Sequence, residues 1–367
     1  MPWCIKKCPY CDFNSYQLTT TLPEQEYISS LIADLKNDLP KVPQRKLSSI
    51  FLGGGTPSLF SAQGLNQLLT TIDSIIAIEP TAEITLEANP STLEQKYLLD
   101  YKQAGITRIS LGAQSFQASK LQALGRIHST KEIFAALDKI NNAGFNSFNI
   151  DLMYNLPEQS ITDAIFDLKT AISFAPKHIS WYELTIEPKT LFAKAHINQP
   201  NEDISVQIQE QGQLLLQRSG LNQYEISAFA KPQYECLHNI NYWKFGDYLG
   251  IGAGAHSKIT DYNTRTIYRA IKKQAPQSYL NSRQNFIAEE NFLTSQQIPL
   301  EFMLNALRLT NGFEKTLFQE RTNLPLAKLN AILEKAINMG LLNITQEKIM
   351  PTTLGKRFLN DILQLFI

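Results

Sequence analysis

Short apolar runs alternate with longer amphipathic stretches along the first half of the chain. The short runs are rich in β-branched and aromatic residues, as β-strands are, and they occupy 48–52, 83–87, 108–111, 147–152 and 178–183. The longer stretches place apolar residues every three or four positions, as surface helices do, and they occupy 63–78, 93–104, 131–143 and 161–174. The pattern therefore predicts strands and helices in regular alternation.

This alternation predicts a parallel sheet, because parallel neighbours need a long crossover connection, which is usually a helix. A barrel-like α/β fold places its functional side chains at the C-terminal ends of the strands. The chain carries Gly, Pro, Asn and acidic residues at those places, in GGGTP (53–57), EANP (87–90), GAQS (112–115), DLMYNLP (151–157) and ELTIEP (183–188). One such segment would be an ordinary turn, whereas five at one edge predict a shared site.

The pattern changes near residue 233, and it divides the chain into three predicted parts, 1–232, 233–290 and 291–367. The middle part is a connecting segment that begins rich in aromatic residues and glycine and continues as a polar stretch at 261–290. The last part predicts a winged-helix-like domain, with helices at 300–309, 313–321 and 326–339, two short extended runs and a final helix.

Winged-helix domains often bind DNA, but the charges here do not favour it. The third helix of this part carries only Lys328 and Lys335 as cations, against Glu334, which favours a structural or partner-docking role. The whole chain has 34 basic and 34 acidic residues, and this balance argues against a general polyanion binder. We therefore expect no nucleic-acid partner, although a DNA-binding regulator remains the alternative from another functional class.

Cysteine use points to a reducing compartment. The 367 residues contain only 4 cysteines, no export signal pattern and no apolar run long enough for a bilayer. A disulfide framework does not fit these features. We expect a cytoplasmic protein, in which clustered thiols bind metal or carry out redox chemistry.

The chain begins MPWCIKKCPYCDFNSY, with Cys4, Cys8 and Cys11 close together. Thiolates on a short loop are the usual ligands of iron–sulfur clusters, and three of them leave one iron of a four-iron cluster open. An open metal position is typical of a reactive site rather than a structural one. A zinc site, which would need a fourth ligand, and a disulfide remain the alternatives.

The cysteine spacing, with an aromatic residue between the last two, resembles the radical S-adenosylmethionine (radical SAM) superfamily. The glycine segment 53–56 is similar to the glycine motif of that superfamily. The resemblance implies a partial (βα)6 TIM-like radical SAM barrel and a 4Fe-4S cluster on the three cysteines. It also implies S-adenosylmethionine bound to the open iron, where reductive cleavage yields a 5′-deoxyadenosyl radical.

A closer likeness covers almost the whole chain. FLGGGTPSLF, EANP, RISLGAQSF, LGRIHS, NIDLMYNLPEQS, YELTIEP and GIGAGAHS resemble the oxygen-independent coproporphyrinogen III oxidase-like group, most closely its HemW-type heme-chaperone branch. The resemblance implies seven residues that contact S-adenosylmethionine, namely Gly54, Gly55, Thr56, Glu87, Gln114, Arg126 and Asp151. An arginine suits a carboxylate, and carboxylate or amide groups suit ribose hydroxyls and a cationic ligand. A structural salt bridge is the alternative for Arg126 and Asp151.

Two features separate the chaperone branch from the oxidases. The oxidases carry a further cysteine two places after the third, where this chain has Phe13. The chain also carries the HNxxYW motif, in which the resemblance makes His238 a heme ligand, with Tyr242 and Trp243 beside the porphyrin. Cys236 is an alternative ligand, and a surface histidine with core aromatics is the structural alternative.

We therefore expect a chaperone that binds heme and transfers it to an acceptor protein. A respiratory protein is one option for this acceptor. The alternative is an oxygen-independent coproporphyrinogen III oxidase, so the enzyme question stays open. Peripheral membrane association and a homodimer are further options.

The family also has a strand before the cysteine loop, and we expect such a strand of roughly a dozen residues ahead of Met1 in a longer natural chain.

Overall fold

A curved sheet with helices on its outer face forms the larger part of the protein. The computed structural model describes residues 1–93 and 95–367, apart from the side chains of residues 95 and 96. The elements of this part, in chain order, are β1 (Trp3–Cys4), β2 (Tyr16–Gln17), α1 (Glu24–Asp38), β3 (Leu47–Leu52), α2 (Ala62–Ile75), β4 (Ile78–Ala88), α3 (Gln95–Gln103), β5 (Arg108–Gln114), α4 (Ala118–Ala123), α5 (Thr130–Asn142), β6 (Ser147–Tyr154), α6 (Ile161–Ser173), β7 (His178–Glu183), α7 (Glu202–Arg218), β8 (Asn222–Glu225), β9 (Ala228–Ala230) and α8 (Leu237–Trp243).

The sheet has seven strands in the order β3-β4-β5-β6-β7-β9-β8. β3 to β7 are parallel neighbours, so the five predicted strands and their parallel pairing are confirmed. The sheet curls into a half-barrel, and the predicted α/β radical SAM-type fold is confirmed. The strand expected ahead of Met1 stays a prediction.

Buried side chains on the sheet and serine caps on the helices explain these elements. The consecutive residues 108–111 on β5 are all buried, and because successive side chains point to opposite faces, the strand is covered on both faces. Ser129 and Ser160 each close a capping box at the start of α5 and α6, which satisfies backbone N–H groups that the first turn leaves free. The βα pattern thus follows from local sequence.

Two antiparallel features were not predicted. β8 and β9 form a hairpin that pairs antiparallel with β7 and extends the sheet beyond its parallel strands. The stretch predicted only as polar holds most of a three-stranded antiparallel sheet, formed by β10 (His256–Asp261), β11 (Thr266–Lys272) and β12 (Ile287–Phe292), with α9 (Pro276–Leu280) between the last two. β12 is exposed along most of its length, and a solvated edge strand carries polar residues that hide its pattern.

The C-terminal part is winged-helix-like, as predicted. Its elements are α10 (Ile298–Ala306), β13 (Phe313–Glu314), α11 (Lys315–Thr322), α12 (Asn330–Asn338), β14 (Leu342–Ile344), β15 (Lys348–Pro351), α13 (Thr353–Arg357) and α14 (Leu359–Gln364). Phe302, Phe313 and Phe318 pack edge to face in its core. Phe245 and Ile267 from the middle part belong to the same core, and the boundaries at 232 and 290 stay a prediction.

A buried ion cluster joins the middle part to the half-barrel. Lys272 on β11 donates to Asp34 Oδ1 at 2.5 Å and to Asp38 Oδ2 at 2.7 Å, both on α1. The Tyr279 hydroxyl also donates to Asp34, at 2.7 Å. Because a buried carboxylate is costly without a partner, these contacts hold the antiparallel sheet in one position on α1.

Within the described residues, no helix has the length and apolar character that crossing a membrane requires.

Replacement of Lys272 by methionine should destabilise the protein strongly. Asp34 and Asp38 would stay buried without their cation, and breaking such a cluster costs about 3 to 5 kcal/mol in the free energy of unfolding. Denaturant titration measures this loss. The matched control is Lys348→Met, because Lys348 pairs with Glu314 at 3.2 Å with both side chains exposed, and its loss should cost less than about 1 kcal/mol. Equal losses in the two variants would contradict the anchoring role.

Candidate cofactor-binding site

The cysteine loop lies at the edge of the half-barrel where the parallel strands end. Cys4, Cys8 and Cys11 are all free thiols of intermediate burial. Burial raises the pKa of Cys4, and a hydrogen bond with Thr56 partly offsets this. Among the described residues, the group whose ligand atoms all lie within 4.8 Å of one another is Glu83, Cys236 and His238, and it does not include these three cysteines.

The glycine segment after β3 is hydrogen-bonded through its backbone to the segment that leads into the cysteine loop. Thr56 N donates to Trp3 O at 2.7 Å. A Cβ atom on Gly55 would lie 2.5 Å from Trp3 O, so the approach of the two backbones requires glycine at this position. Gly54 has a φ of +115°, which also favours glycine. The close approach seen here is thus between the glycine segment and the segment that carries Cys4.

Glu87 and Asp151 are two buried carboxyl groups at the same edge of the sheet. Glu87 accepts from Gly54 N at 3.1 Å, and burial together with the nearby Asp151 raises its pKa to about 7. Asp151 accepts from Asn149 Nδ2 at 2.7 Å and from Ser110 Oγ at 3.1 Å. Burial raises the pKa of Asp151, while these hydrogen bonds oppose the rise. The edge therefore offers two acceptors to a ligand that brings hydroxyl or cationic groups.

Arg126 brings a cation to the cysteine loop. Its Nη1 lies 3.5 Å from both Cys8 Sγ and Tyr10 Oη, and its Nη2 donates to Gly112 O at 2.6 Å. Its Nε is buried without a hydrogen-bond partner in the described part of the chain. An orphaned buried donor is costly, and an anionic ligand beside the cysteines would supply what it lacks.

Gln114 lies in the same site in a left-handed backbone conformation, with φ of +69°. Its Oε1 accepts from the Tyr182 hydroxyl at 2.8 Å. The site thus combines free thiols, an orphaned arginine donor, two buried carboxyl groups and an oriented amide. This donor set fits an iron–sulfur cluster with an amino-acid-like, ribose-bearing ligand beside it.

The HNxxYW motif forms α8, which packs against β3. His238 is only 8% exposed, so the alternative of a surface histidine is wrong. The Phe51 ring stacks on the imidazole with centroids 4.3 Å apart, and Tyr242 meets it edge-on at 6.1 Å. Trp243 lies under Arg308, with the guanidinium 4.2 Å from the ring, and its Nε1 is buried with no partner among the described residues.

His238 also contacts Glu83 and Cys236, and sequence reasoning missed Glu83. His238 Nδ1 lies 3.0 Å from Glu83 Oε1, and Cys236 Sγ lies 3.0 Å from the same nitrogen. Burial raises the pKa of Glu83, but His238 and Arg108 outweigh this and bring it to about 2. Burial raises the pKa of Cys236 to about 12. Glu83 was detectable, because it precedes Glu87 by four residues on β4, and residues two or four apart on a strand share a face.

A chain of buried hydrogen bonds connects this motif to the strand-end site. Asn149, which donates to Asp151, has its Oδ1 2.6 Å from His178 Nδ1. His178 Nε2 lies 2.9 Å from the Tyr224 hydroxyl. That hydroxyl accepts from Cys236 N at 3.3 Å, at the start of α8. The two sets of predicted residues therefore share one interior, although they do not contact each other directly.

Comparison with known proteins gives consistent matches along the chain. A model of the radical SAM superfamily matches residues 1–168, and a model of the HemN C-terminal domain matches residues 293–358. Three relatives called heme chaperone HemW each span all of this chain. The one from Haemophilus influenzae is 46% identical over 96% of its own length, the one from Escherichia coli 43% over 96% and the one from Bacillus subtilis 33% over 97%.

A solved structure agrees in fold. The coproporphyrinogen III oxidase HemN from Escherichia coli, described as a radical SAM enzyme, superposes with a TM-score of 0.83. The match covers 100% of this chain and 88% of the other at 22% sequence identity. At this identity the likeness shows the architecture alone.

Replacement of Gly55 by alanine should lower the iron content of the reconstituted protein. The added methyl group would overlap Trp3 O, so the cysteine segment must move, at a cost of about 1 to 3 kcal/mol. Iron per chain after anaerobic reconstitution measures the effect. Gly340→Ala is the matched control, because Gly340 has φ of +71° and no atom within 4 Å of an added Cβ. The control should lose a similar amount of stability but keep its iron, and equal iron in both variants would refute the prediction.

Proposed function

Because the chain belongs to the radical SAM superfamily and, within it, to the HemW group of heme chaperones, we propose that it binds heme and transfers it to an acceptor protein. The observation that carries this proposal is the buried contact between His238 Nδ1 and Glu83 Oε1, 3.0 Å long. When Nδ1 donates to a carboxylate, the lone pair of the neutral ring is on Nε2. Carboxylate-oriented histidines are common metal ligands, so His238 is suited to heme iron.

The aromatic surroundings of His238 suit a porphyrin. Tyr242 and Trp243 lie on the same helix, and Phe51 covers the imidazole from β3. Flat apolar side chains stack on a flat macrocycle. Phe51 is 38% exposed, so its ring lies between solvent and His238. In this proposal heme displaces the Phe51 ring to reach the imidazole.

The strand-end site holds the accessory cofactors in this proposal. Cys4, Cys8 and Cys11 bind a 4Fe-4S cluster, and S-adenosylmethionine contacts the seven residues Gly54, Gly55, Thr56, Glu87, Gln114, Arg126 and Asp151. When bound, the cluster supplies a low-potential electron and an open iron. The guanidinium of Arg126 pairs with the carboxylate of the ligand, and Asp151 accepts from ribose hydroxyls. The orphaned Arg126 Nε supports this assignment.

Phe13 favours the chaperone over coproporphyrinogen III oxidase chemistry. The oxidases that the chain resembles carry a cysteine at this place, and Phe13 is 59% exposed beside the cysteine loop.

We further propose a location in the cytoplasm and docking of the acceptor on the C-terminal part. Its exposed Leu354 and Phe358 are apolar positions that a partner would cover.

Replacement of His238 by alanine should abolish or strongly weaken heme binding. A heme titration of the wild type should give a saturable, shifted Soret band, and the variant should show only the absorption of free heme because it lacks the histidine that would bind the iron. His196→Ala is the control, since His196 is exposed and lies outside the motif. A Soret band retained in His238→Ala would refute the assignment. Anaerobic conversion of coproporphyrinogen III by the reconstituted protein would support the oxidase instead.

Replacement of Phe51 by alanine should speed heme association. Its ring covers His238, and removing a barrier of about 1.4 kcal/mol would raise the association rate about tenfold. Stopped-flow absorbance at the Soret maximum measures this rate. Phe292→Ala is the matched control, because Phe292 is 62% exposed on β12 and does not stack on His238. An unchanged or slower rate in Phe51→Ala would show that the ring does not gate the site.

A further inference from the structure

Three ligand-type atoms converge on one point at the start of α8. Glu83 Oε1, Cys236 Sγ and His238 Nδ1 form a triangle with sides of 3.0, 3.0 and 3.3 Å. Cys236 and His238 are buried, and Glu83 is largely so. Each residue comes from a position fixed by other contacts, since Glu83 lies within β4 and Cys236 N donates to the Tyr224 hydroxyl.

The hydrogens of the three groups can all be directed to the carboxylate. A neutral imidazole offers at most one hydrogen at Nδ1, a thiol offers one, and an ionised carboxylate offers none. If both are donated to Glu83, every hydrogen of the three groups is used. Cys236 Sγ lies 3.0 Å from His238 Nδ1 and 3.4 Å from Nε2, so the sulfur packs over the imidazole ring. One carboxylate oxygen therefore holds a thiol and an imidazole, each within 3.3 Å of it.

A cation that takes the place of these hydrogens would bind all three groups after a small outward movement of their side chains, because atoms 3.0 to 3.3 Å apart leave less room than a zinc–sulfur bond of about 2.3 Å needs. Thiolate, imidazole and carboxylate together are ligands that zinc accepts, and three protein ligands leave its fourth position open. The other oxygen of Glu83 is held in place, because Leu237 N donates to Oε2 at 3.3 Å and Arg108 Nε lies 4.0 Å from it. We propose that Glu83, Cys236 and His238 form a binding site for a divalent transition metal of the zinc type, separate from the cysteine loop.

Metal binding at this site has a defined proton balance. The Cys236 thiol loses its hydrogen to solvent and binds as thiolate, so each bound ion releases one proton from the thiol. The imidazole stays neutral but binds through Nδ1, which moves its hydrogen to Nε2. Where the proposed function holds, zinc and heme iron then exclude each other, because heme needs the lone pair on Nε2. Zinc would thus regulate heme binding.

The metal site can be tested without the iron–sulfur cluster. The chain has 4 cysteines in all, so a variant with Cys4, Cys8 and Cys11 replaced by alanine keeps Cys236 as its sole thiol. Addition of Co²⁺ to this variant should give one equivalent of binding and a near-ultraviolet thiolate charge-transfer band. A further Cys236→Ala change should remove the band, and Glu83→Gln should weaken metal binding at least about tenfold. Absence of the band in a folded variant would overturn the proposal.

A second measurement covers the case in which the cysteine-free loop prevents folding. Wild-type protein with its cluster reconstituted is titrated with Zn²⁺ in a calorimeter, in two buffers of different ionisation enthalpy. One high-affinity site with one released proton is expected, and both should be lost in Cys236→Ala. Equal zinc binding by the wild type and Cys236→Ala would refute the site.

Competition with heme distinguishes this proposal from the proposed function. Zinc-loaded wild-type protein should bind heme more weakly than zinc-free protein, whereas Cys236→Ala should bind heme equally with and without zinc. Zinc binding without any Soret band would leave the metal site standing and refute heme binding. A Soret band that zinc does not change would refute the mutual exclusion.

Discussion

The interior of the half-barrel depends on buried polar groups that must satisfy one another. A half-open sheet cannot fill its concave face with apolar side chains alone if that face is to hold polar cofactors. Asn149 is at the centre of the arrangement, because it donates to Asp151 and to Ser110 Oγ and accepts from Ser180 N. Loss of any member would leave a buried donor or acceptor unpaired, which costs more than the bond itself contributes. Asn149 therefore links these groups in one polar network.

This network explains why two distant motifs belong to one structure. The strand-end residues and α8 are separated in sequence, but Asn149, His178 and Tyr224 connect them by hydrogen bonds of 2.6 and 2.9 Å. Low-dielectric surroundings strengthen such bonds and make an unpaired group expensive. The hydrogen bonds of Asp151 and the contact that holds the start of α8 therefore belong to one connected chain.

Much of the architecture could be read from local pattern. The five parallel strands carry β-branched and aromatic runs, and capping serines such as Ser129 and Ser160 mark where helices begin. β8 and β9 are only 4 and 3 residues long, too short for a periodic signal. In the antiparallel sheet, β12 is solvated and reads as a polar stretch, whereas β11 carries the buried residues Ile267, Tyr268 and Ala270 and could have been recognised. Its position on α1 depends on Lys272, whose carboxylate partners lie more than 230 residues away.

Residue spacing along the chain indicated which chemical groups the strand ends and α8 carry. Cysteine spacing, the strand-end motifs and the HNxxYW segment each lie within a few neighbouring residues, so each can be recognised in the amino-acid sequence without a structure. Which groups face one another depends on the folded chain, since Glu83 lies 153 residues before Cys236 in the sequence and contacts it only after the sheet has formed. The tertiary structure also decided that His238 is buried behind Phe51 rather than exposed. Contacts of this kind follow from how strands and helices pack, and no short-range pattern of residues encodes them.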